Sequence, residues 1–177
     1  KFKESKKFVI AYGDNYTQGA YYVASVADKV YVNPSGMIDW HGVASQPMFF
    51  KELLEKVGVK MQVFRVGTYK SAVEPFTATE MSEANREQVS SYITDIWQGI
   101  CQEVSASRKI AVDTLNQYAN DYAALWEHNK YIETHLADSL FYLDQLRGEL
   151  RRMTGRDNFT LVTPTELATN EKSLNSK

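Results

Sequence analysis

The chain has 177 residues, is 44% hydrophobic and 24% charged, and so has the composition of a folded globular protein rather than a disordered one. Its 20 basic and 22 acidic residues leave a net charge of −2, without the strongly basic face that nucleic-acid binding needs. No nucleic-acid partner is expected.

Taken in chain order, Phe8–Tyr12 is a short apolar run ended by Gly13-Asp14-Asn15 and predicts a buried strand. Gln18–Ala27 predicts a compact helix. Val30-Tyr31-Val32 predicts a second strand stopped by Asn33-Pro34-Ser35-Gly36, with a further extended segment over 37–44. Phe50, Leu53, Leu54 and Val57 recur at helical spacing, and Gly58 closes that helix. Met61–Val66 predicts a strand, and 67–76 a loop of little periodicity. The strongest pattern comes next: Ser82 as cap, then Val89, Tyr92, Ile93, Ile96, Trp97, Ile100, Cys101 and Val104 in one stripe. Shorter helices are expected over 112–118 and 122–128. A last helix is expected over 139–153, with Leu140, Leu143, Leu146, Leu150 and Met153 inward and Gly155 beyond its end. Strands alternating with helices and then a helical half indicate an α/β class.

Several chemistries find no support. A lone Cys101 makes no internal disulfide, and within an apolar helix stripe it reads as a buried, inert thiol. His128 and His135 are interrupted by Asn129-Lys130-Tyr131 and do not read as a metal pair. His41 reads as a hydrogen-bonded or surface imidazole. No glycine-rich phosphate loop is present although Gly13 and Gly19 are near one another. No apolar run reaches the roughly 20 residues of a membrane span. The chain opens without Met and with strand pattern close behind, so a longer parent is expected.

One segment has more than a structural reading. Gly67-Thr68-Tyr69-Lys70-Ser71-Ala72-Val73-Glu74-Pro75-Phe76 sets a lysine among small and apolar neighbours. A lysine is a base only when unprotonated, which at its reference pKa of about 10.4 is rare near neutrality. Desolvation lowers that pKa, and Tyr69, Val73 and Phe76 are candidates to supply it.

The run from Val63 to Phe76, with Tyr21-Tyr22-Val23-Ala24-Ser25, Ala27–Pro34, Leu53–Val59, Met81-Ser82 and Arg86-Glu87, resembles the signal peptide peptidase A family, also called protease IV. The resemblance covers about residues 1 to 135. It implies a ClpP/crotonase-like fold of β-β-α units, here incomplete at its amino end, and a serine–lysine dyad whose lysine falls on Lys70. The serine normally stands in an Ala-Ser-Gly-Gly-Tyr-Tyr motif; here Thr17-Gln18-Gly19-Ala20-Tyr21-Tyr22 stands there, with Gln18 in the nucleophile's place. Glutamine cannot attack a carbonyl, and Thr17 and Ser71 are the nearest alternative hydroxyls.

The chain is therefore similar to the amino-terminal half of the long, two-half form. The resemblance implies a peptidase-domain segment over 1–163 and a polar tail over 164–177 leading to a serine-bearing carboxy-terminal half. It also implies cleaved signal peptides as substrates, no metal or organic cofactor, a homo-oligomer, and a bacterial inner-membrane enzyme facing the periplasm. Two other classes compete with it. One is a non-catalytic scaffold using Lys70 as a salt-bridge partner, for example of Glu74. The other is a crotonase-type acyl-CoA enzyme, whose backbone-amide and carboxylate pattern is not seen.

Overall fold

The computed structural model describes residues 3–5, 7–63, 71–159, 162, 163, 165, 166 and 168. The chain divides into two compact units, Lys1–Leu140 and Phe141–Lys177; the expected tail boundary at Pro164 lies outside the described residues.

In the first unit, β1 (Ile10–Tyr16), α1 (Gln18–Ala24) and β2 (Lys29–Ile38) form a β-α-β start. Next come α2 (Lys51–Lys56), the helical turn α3 (Glu74–Thr77), α4 (Glu83–Arg108), α5 (Val112–Asn120) and α6 (His128–Glu133), and β3 (Ser139–Leu140) closes the sheet. Among the described residues all strand pairing is parallel, in the order β1-β2-β3. Parallel strands need covered faces, and the central strand has them: Val30, Tyr31, Val32 and Ile38 are all buried. The α/β class read from the sequence is therefore the observed one.

The turn signals in both long strands lie inside them. Gly13-Asp14-Asn15 continues β1 and Asn33–Gly36 continues β2, because the register jumps from Gly13↔Val32 to Asn15↔Met37. Residues 33–36 stand against Asp14 alone. Side chains replace the missing ladder there: Asn33 Nδ2 donates to Asp14 Oδ1 (2.9 Å), Ser35 N–H to Asn33 Oδ1 (2.9 Å), and Met37 N–H to Asn15 Oδ1 (3.0 Å). A Cβ on Gly36 would sit 1.6 Å from the Asp14 carbonyl oxygen, so the backbones approach there more closely than any other residue allows.

α4 starts where Ser82 was expected to cap it, its Oγ accepting from Asn85 N–H (3.2 Å). Only the C-terminal part of the expected stripe is inside. Cys101 and Val104 are buried, whereas Tyr92 and Ile96 are about half exposed. The core combines these with Tyr21, Trp40, Leu115, Tyr131 and Leu136. Aromatic polar tips are satisfied by backbone: Tyr21 Oη donates to Leu136 O (2.8 Å), Trp40 Nε1 to Leu115 O (2.9 Å), and Tyr131 Oη to Ala123 O (2.9 Å).

Two expected helices are corrected. The 122–128 segment has Tyr122 at φ 50°, a 3-10 turn at Ala123–Leu125 and an extended Trp126, so α6 begins only at His128. Trp126 is drawn out by its packing on Tyr118 (ring centroids 5.0 Å) and by donating from Nε1 to Asp121 O (3.2 Å). Ser139 and Leu140 pair with Tyr31 and Val32 as a strand instead of opening the last helix. In the second unit, α7 (Leu143–Thr154) starts behind Tyr142, whose N–H donates to Gln145 Oε1 (2.9 Å), and ends at Gly155 with φ 64°. Leu146 is buried, but Leu143, expected inward, is exposed.

The loop into β3 is tied down by Arg108 at the end of α4. Its Nε and Nη2 donate to His135 O (3.1 and 2.8 Å), and Nη1 to Asp138 Oδ2 (2.9 Å). The same Asp138 oxygen accepts Val30 N–H (2.8 Å), while Asp138 N–H donates to Val30 O (2.7 Å). One carboxylate thus joins α4, β2 and the entrance to β3.

Candidate functional site

Lys70 lies outside the described residues, as do Tyr69 and the rest of residues 64–70, including the second half of the strand expected over 61–66. Residues 61–63 carry no regular secondary structure. The description resumes immediately after the lysine. Ser71 is half-buried, and its carbonyl accepts Glu74 N–H (2.9 Å), opening the turn into α3. Val73 is half-buried too, and Phe76 is 41% exposed.

Glu74 is the anchor of this segment and is almost fully buried. A buried carboxylate needs charge-assisted partners. Ser82 Oγ donates to Oε1 (2.6 Å), and Ser82 N–H and Asn85 Nδ2 donate to Oε2 (3.3 and 3.0 Å). The N-terminal end of α4 is thereby fastened to the turn beyond Ser71. On the other side Phe50 N–H donates to Pro75 O (2.6 Å), and the Phe50 and Phe76 rings stack at 6.0 Å. Behind Phe76 an open cavity of about 470 Å³ is lined by Leu54, Gly58, Val59, Met61 and Thr77. Nothing in the periodicity of the sequence flags Glu74 as buried; the only signal is an acid in an otherwise small and apolar run.

The second locus is the start of α1. Thr17 is spent on capping, its Oγ1 accepting Ala20 N–H (3.3 Å). Gln18 reaches across to the segment after β2. Its Oε1 accepts His41 N–H (3.0 Å) and Gly42 N–H (2.8 Å), and its Nε2 donates to Gly42 O (2.9 Å). His41, expected as a hydrogen-bonded or surface imidazole, is both: it is exposed and its Nδ1 meets Asp39 Oδ1 at 2.7 Å. Residue spacing assigns Gln18 no structural role; its contacts join residues 23 and 24 positions apart, which no local pattern reveals.

The remaining candidates stay separate from both loci. Cys101 is buried beside Asn116 in the helix-packed core, and burial pushes its thiol up to about 11. Among the described residues no cluster of histidine, cysteine, aspartate and glutamate is arranged to hold a metal ion. Nor is any helix of the described residues long and apolar enough to cross a membrane.

Comparison with known proteins adds a family match. The profile described as Peptidase family S49 matches residues 1–155. Protease 4 of Salmonella typhi is 49% identical over 115 residues, covering 65% of this chain and 19% of that protein. Protease 4 of Haemophilus influenzae is 44% identical over 123 residues, 70% of this chain and 20% of that protein. The chloroplastic serine protease SPPA of Arabidopsis thaliana is 27% identical over 154 residues, 87% of this chain and 22% of that protein. The chain thus spans about one fifth of the length of these curated relatives.

Proposed function

The chain belongs to peptidase family S49, and from that premise we propose that it is part of a serine-type endopeptidase with a serine–lysine dyad. In this reading Lys70 is the general base, and the nucleophilic serine comes from a segment outside these residues. The observation that carries it is the occupation of position 18. Neither atom of the Gln18 carboxamide can act as a nucleophile, both are hydrogen-bonded to backbone, and the neighbouring Thr17 hydroxyl is used as a cap. The lysine-bearing run keeps its resemblance to the family.

The chemistry rests on what a neutral amine can do. The Lys70 amine takes the serine Oγ proton as the oxygen attacks the scissile carbonyl, and the resulting ammonium returns a proton to the leaving amine as the C–N bond breaks. Water, deprotonated by the same amine, then attacks the acyl carbon, and the ammonium returns the proton to the serine Oγ as the C–O bond breaks. No aspartate is needed, because the lysine requires no tautomer to be held. The oxyanion-binding amides belong in this reading to the serine-bearing half, so the 177-residue chain alone hydrolyses no peptide.

The same proposal extends to the whole enzyme. It takes the parallel sheet as part of a ClpP/crotonase-like fold, and assigns cleaved signal peptides as substrates for a homo-oligomer at the bacterial inner membrane facing the periplasm.

The test is made in the complete protein. Lys70→Ala and Lys70→Arg are each expected to abolish peptide hydrolysis without changing the far-ultraviolet circular dichroism, since arginine stays protonated. A fluorophosphonate is expected to label a serine outside residues 1–177. Turnover by either variant, or labelling at Ser71, refutes the assignment.

A further inference from the structure

Glu74 is 3% exposed in a helical turn of four residues, and a carboxylate is a costly group to bury there. An apolar side chain would hold α3 against its neighbours at less cost. What the carboxylate adds is direction. Its donors, Ser82 Oγ at 2.6 Å, Asn85 Nδ2 at 3.0 Å and Ser82 N–H at 3.3 Å, come from the N-cap and first turn of α4. Charge-assisted hydrogen bonds that converge in this way fix geometry as well as attachment.

The other end of the same turn adjoins the lysine in sequence. Glu74 N–H donates to Ser71 O (2.9 Å), Phe76 N–H and Thr77 Oγ1 each donate to Val73 O (3.1 Å), and Ala78 N–H donates to Glu74 O (2.9 Å). Ser71 therefore opens a hydrogen-bonded turn, and Lys70 precedes it by a single peptide bond. At its far end α4 is seated in the core by Cys101 and Val104. Cys101 lies roughly 27 Å along the helix from Glu83, so α4 carries the rigidity of the core out to the segment that follows the lysine.

We propose that Glu74 is a positioning residue for the base: through Ser82 and Asn85 it fixes the turn that begins at Ser71 to the end of α4, and so sets where the Lys70 amine stands relative to the serine. The inference rests on the reading of Lys70 as general base and adds the device that holds it. Glu74 acts here by its hydrogen bonds rather than by its charge. A base misplaced by about 1 Å loses on the order of 100-fold in rate, while substrate binding is unaffected.

Steady-state kinetics of the complete protein on acetyl-Leu-Leu-Leu-aminomethylcoumarin test it, with a fluorophosphonate to count and time the reactive serine. In Glu74→Ala kcat is expected to fall about 100-fold, with KM within about threefold of native. The fluorophosphonate is expected to label as many serines as in the native protein but more slowly, because its reaction needs the same base. A role confined to folding lowers the number labelled and leaves the rate. Glu74→Gln keeps an oxygen for Ser82 N–H and Asn85, and is expected to recover kcat to within about fivefold of native. Should Glu74→Ala lose its fold, Asn85→Ala removes one donor, leaves the Ser82 cap, and is expected to lower kcat about tenfold in the same pattern. Lys70→Ala separates the two claims. Turnover by Lys70→Ala overturns the base reading and this proposal with it. Loss of turnover there, beside a kcat within about threefold of native in Glu74→Ala (or in Asn85→Ala, where that is the folded variant), overturns the positioning role alone. A Glu74→Gln protein as slow as Glu74→Ala, or a defect carried by KM, also overturns it.

Discussion

Replacing Arg108 by alanine removes three hydrogen bonds at once: two to the His135 carbonyl and one to Asp138 Oδ2. The Arg108 side chain is 8% exposed and that of Asp138 23%, so the pair is largely withdrawn from solvent. Breaking such a pair by deleting one partner costs about 3–5 kcal/mol, mostly because the surviving group is left under-solvated. Asp138 retains Val30 N–H (2.8 Å) and a longer contact to Lys29 Nζ (3.5 Å), which places the expected loss at the lower end, about 3 kcal/mol. At roughly 2–4 °C per kcal/mol for a chain of this size, that is a fall in Tm of about 6–12 °C at pH 7.

The loss is also pH-dependent, with a defined sign. Desolvation alone pushes the Asp138 carboxyl upward, but the Val30 N–H and the Arg108 hydrogen bond and charge outweigh it and hold the group below the usual carboxylate range. Its stabilisation is complete above the unfolded value of about 3.9 and disappears as pH falls through the lower folded value. The gap between native protein and Arg108→Ala is therefore expected to narrow in acid. Thermal melts followed by far-ultraviolet circular dichroism, at pH 7 and at successively lower pH, give both numbers. A Tm loss under about 3 °C at pH 7, or a gap that widens in acid, refutes this account of the junction.

Gly36→Ala drives a methyl group into the Asp14 carbonyl at 1.6 Å and is expected to cost at least about 2 kcal/mol in urea unfolding; Gly19→Ala, with open space around its Cβ, is the control. Cys101 is expected to react with a disulfide reagent at pH 8 at least about 100-fold more slowly than in urea, since both burial and a thiol raised to about 11 withhold the thiolate. Glu74→Ala leaves Ser82 and Asn85 without their acceptor, and faster amide exchange at the first turn of α4 is expected, partly rescued by Glu74→Gln.

The parts of the fold legible in the sequence were those with a local cause. The Ser82 cap, the Gly58 and Gly155 terminators and the strand at Val30-Tyr31-Val32 each arise from a residue and its immediate neighbours. What misled was local chemistry overruled from a distance. Asn33-Pro34-Ser35-Gly36 is a turn by composition, yet it stays in β2 because Asp14 and Asn15 on the facing strand supply its hydrogen bonds. Ser139-Leu140 fits the helical spacing of the leucines after it, yet pairs with Tyr31 and Val32. At the site, family membership was legible from the run around Lys70, whereas the burial of Glu74 and the reach of Gln18 depend on contacts that spacing does not encode.

The aromatic side chains at the heart of the first unit form a continuous line. Tyr16 meets Tyr21 at 6.2 Å, Tyr21 meets Trp40 at 5.8 Å, and Trp40 meets Trp97 at 5.0 Å. Trp40 is sealed from water beyond the end of β2, whereas Trp97 rides on α4 and is partly covered. Light absorbed by the tyrosines therefore has a short path to an indole in a dry environment, and the two indoles are close enough to couple optically. The near-ultraviolet dichroism of the Trp40–Trp97 pair thus reports, without any added label, whether α4 is seated against Trp40.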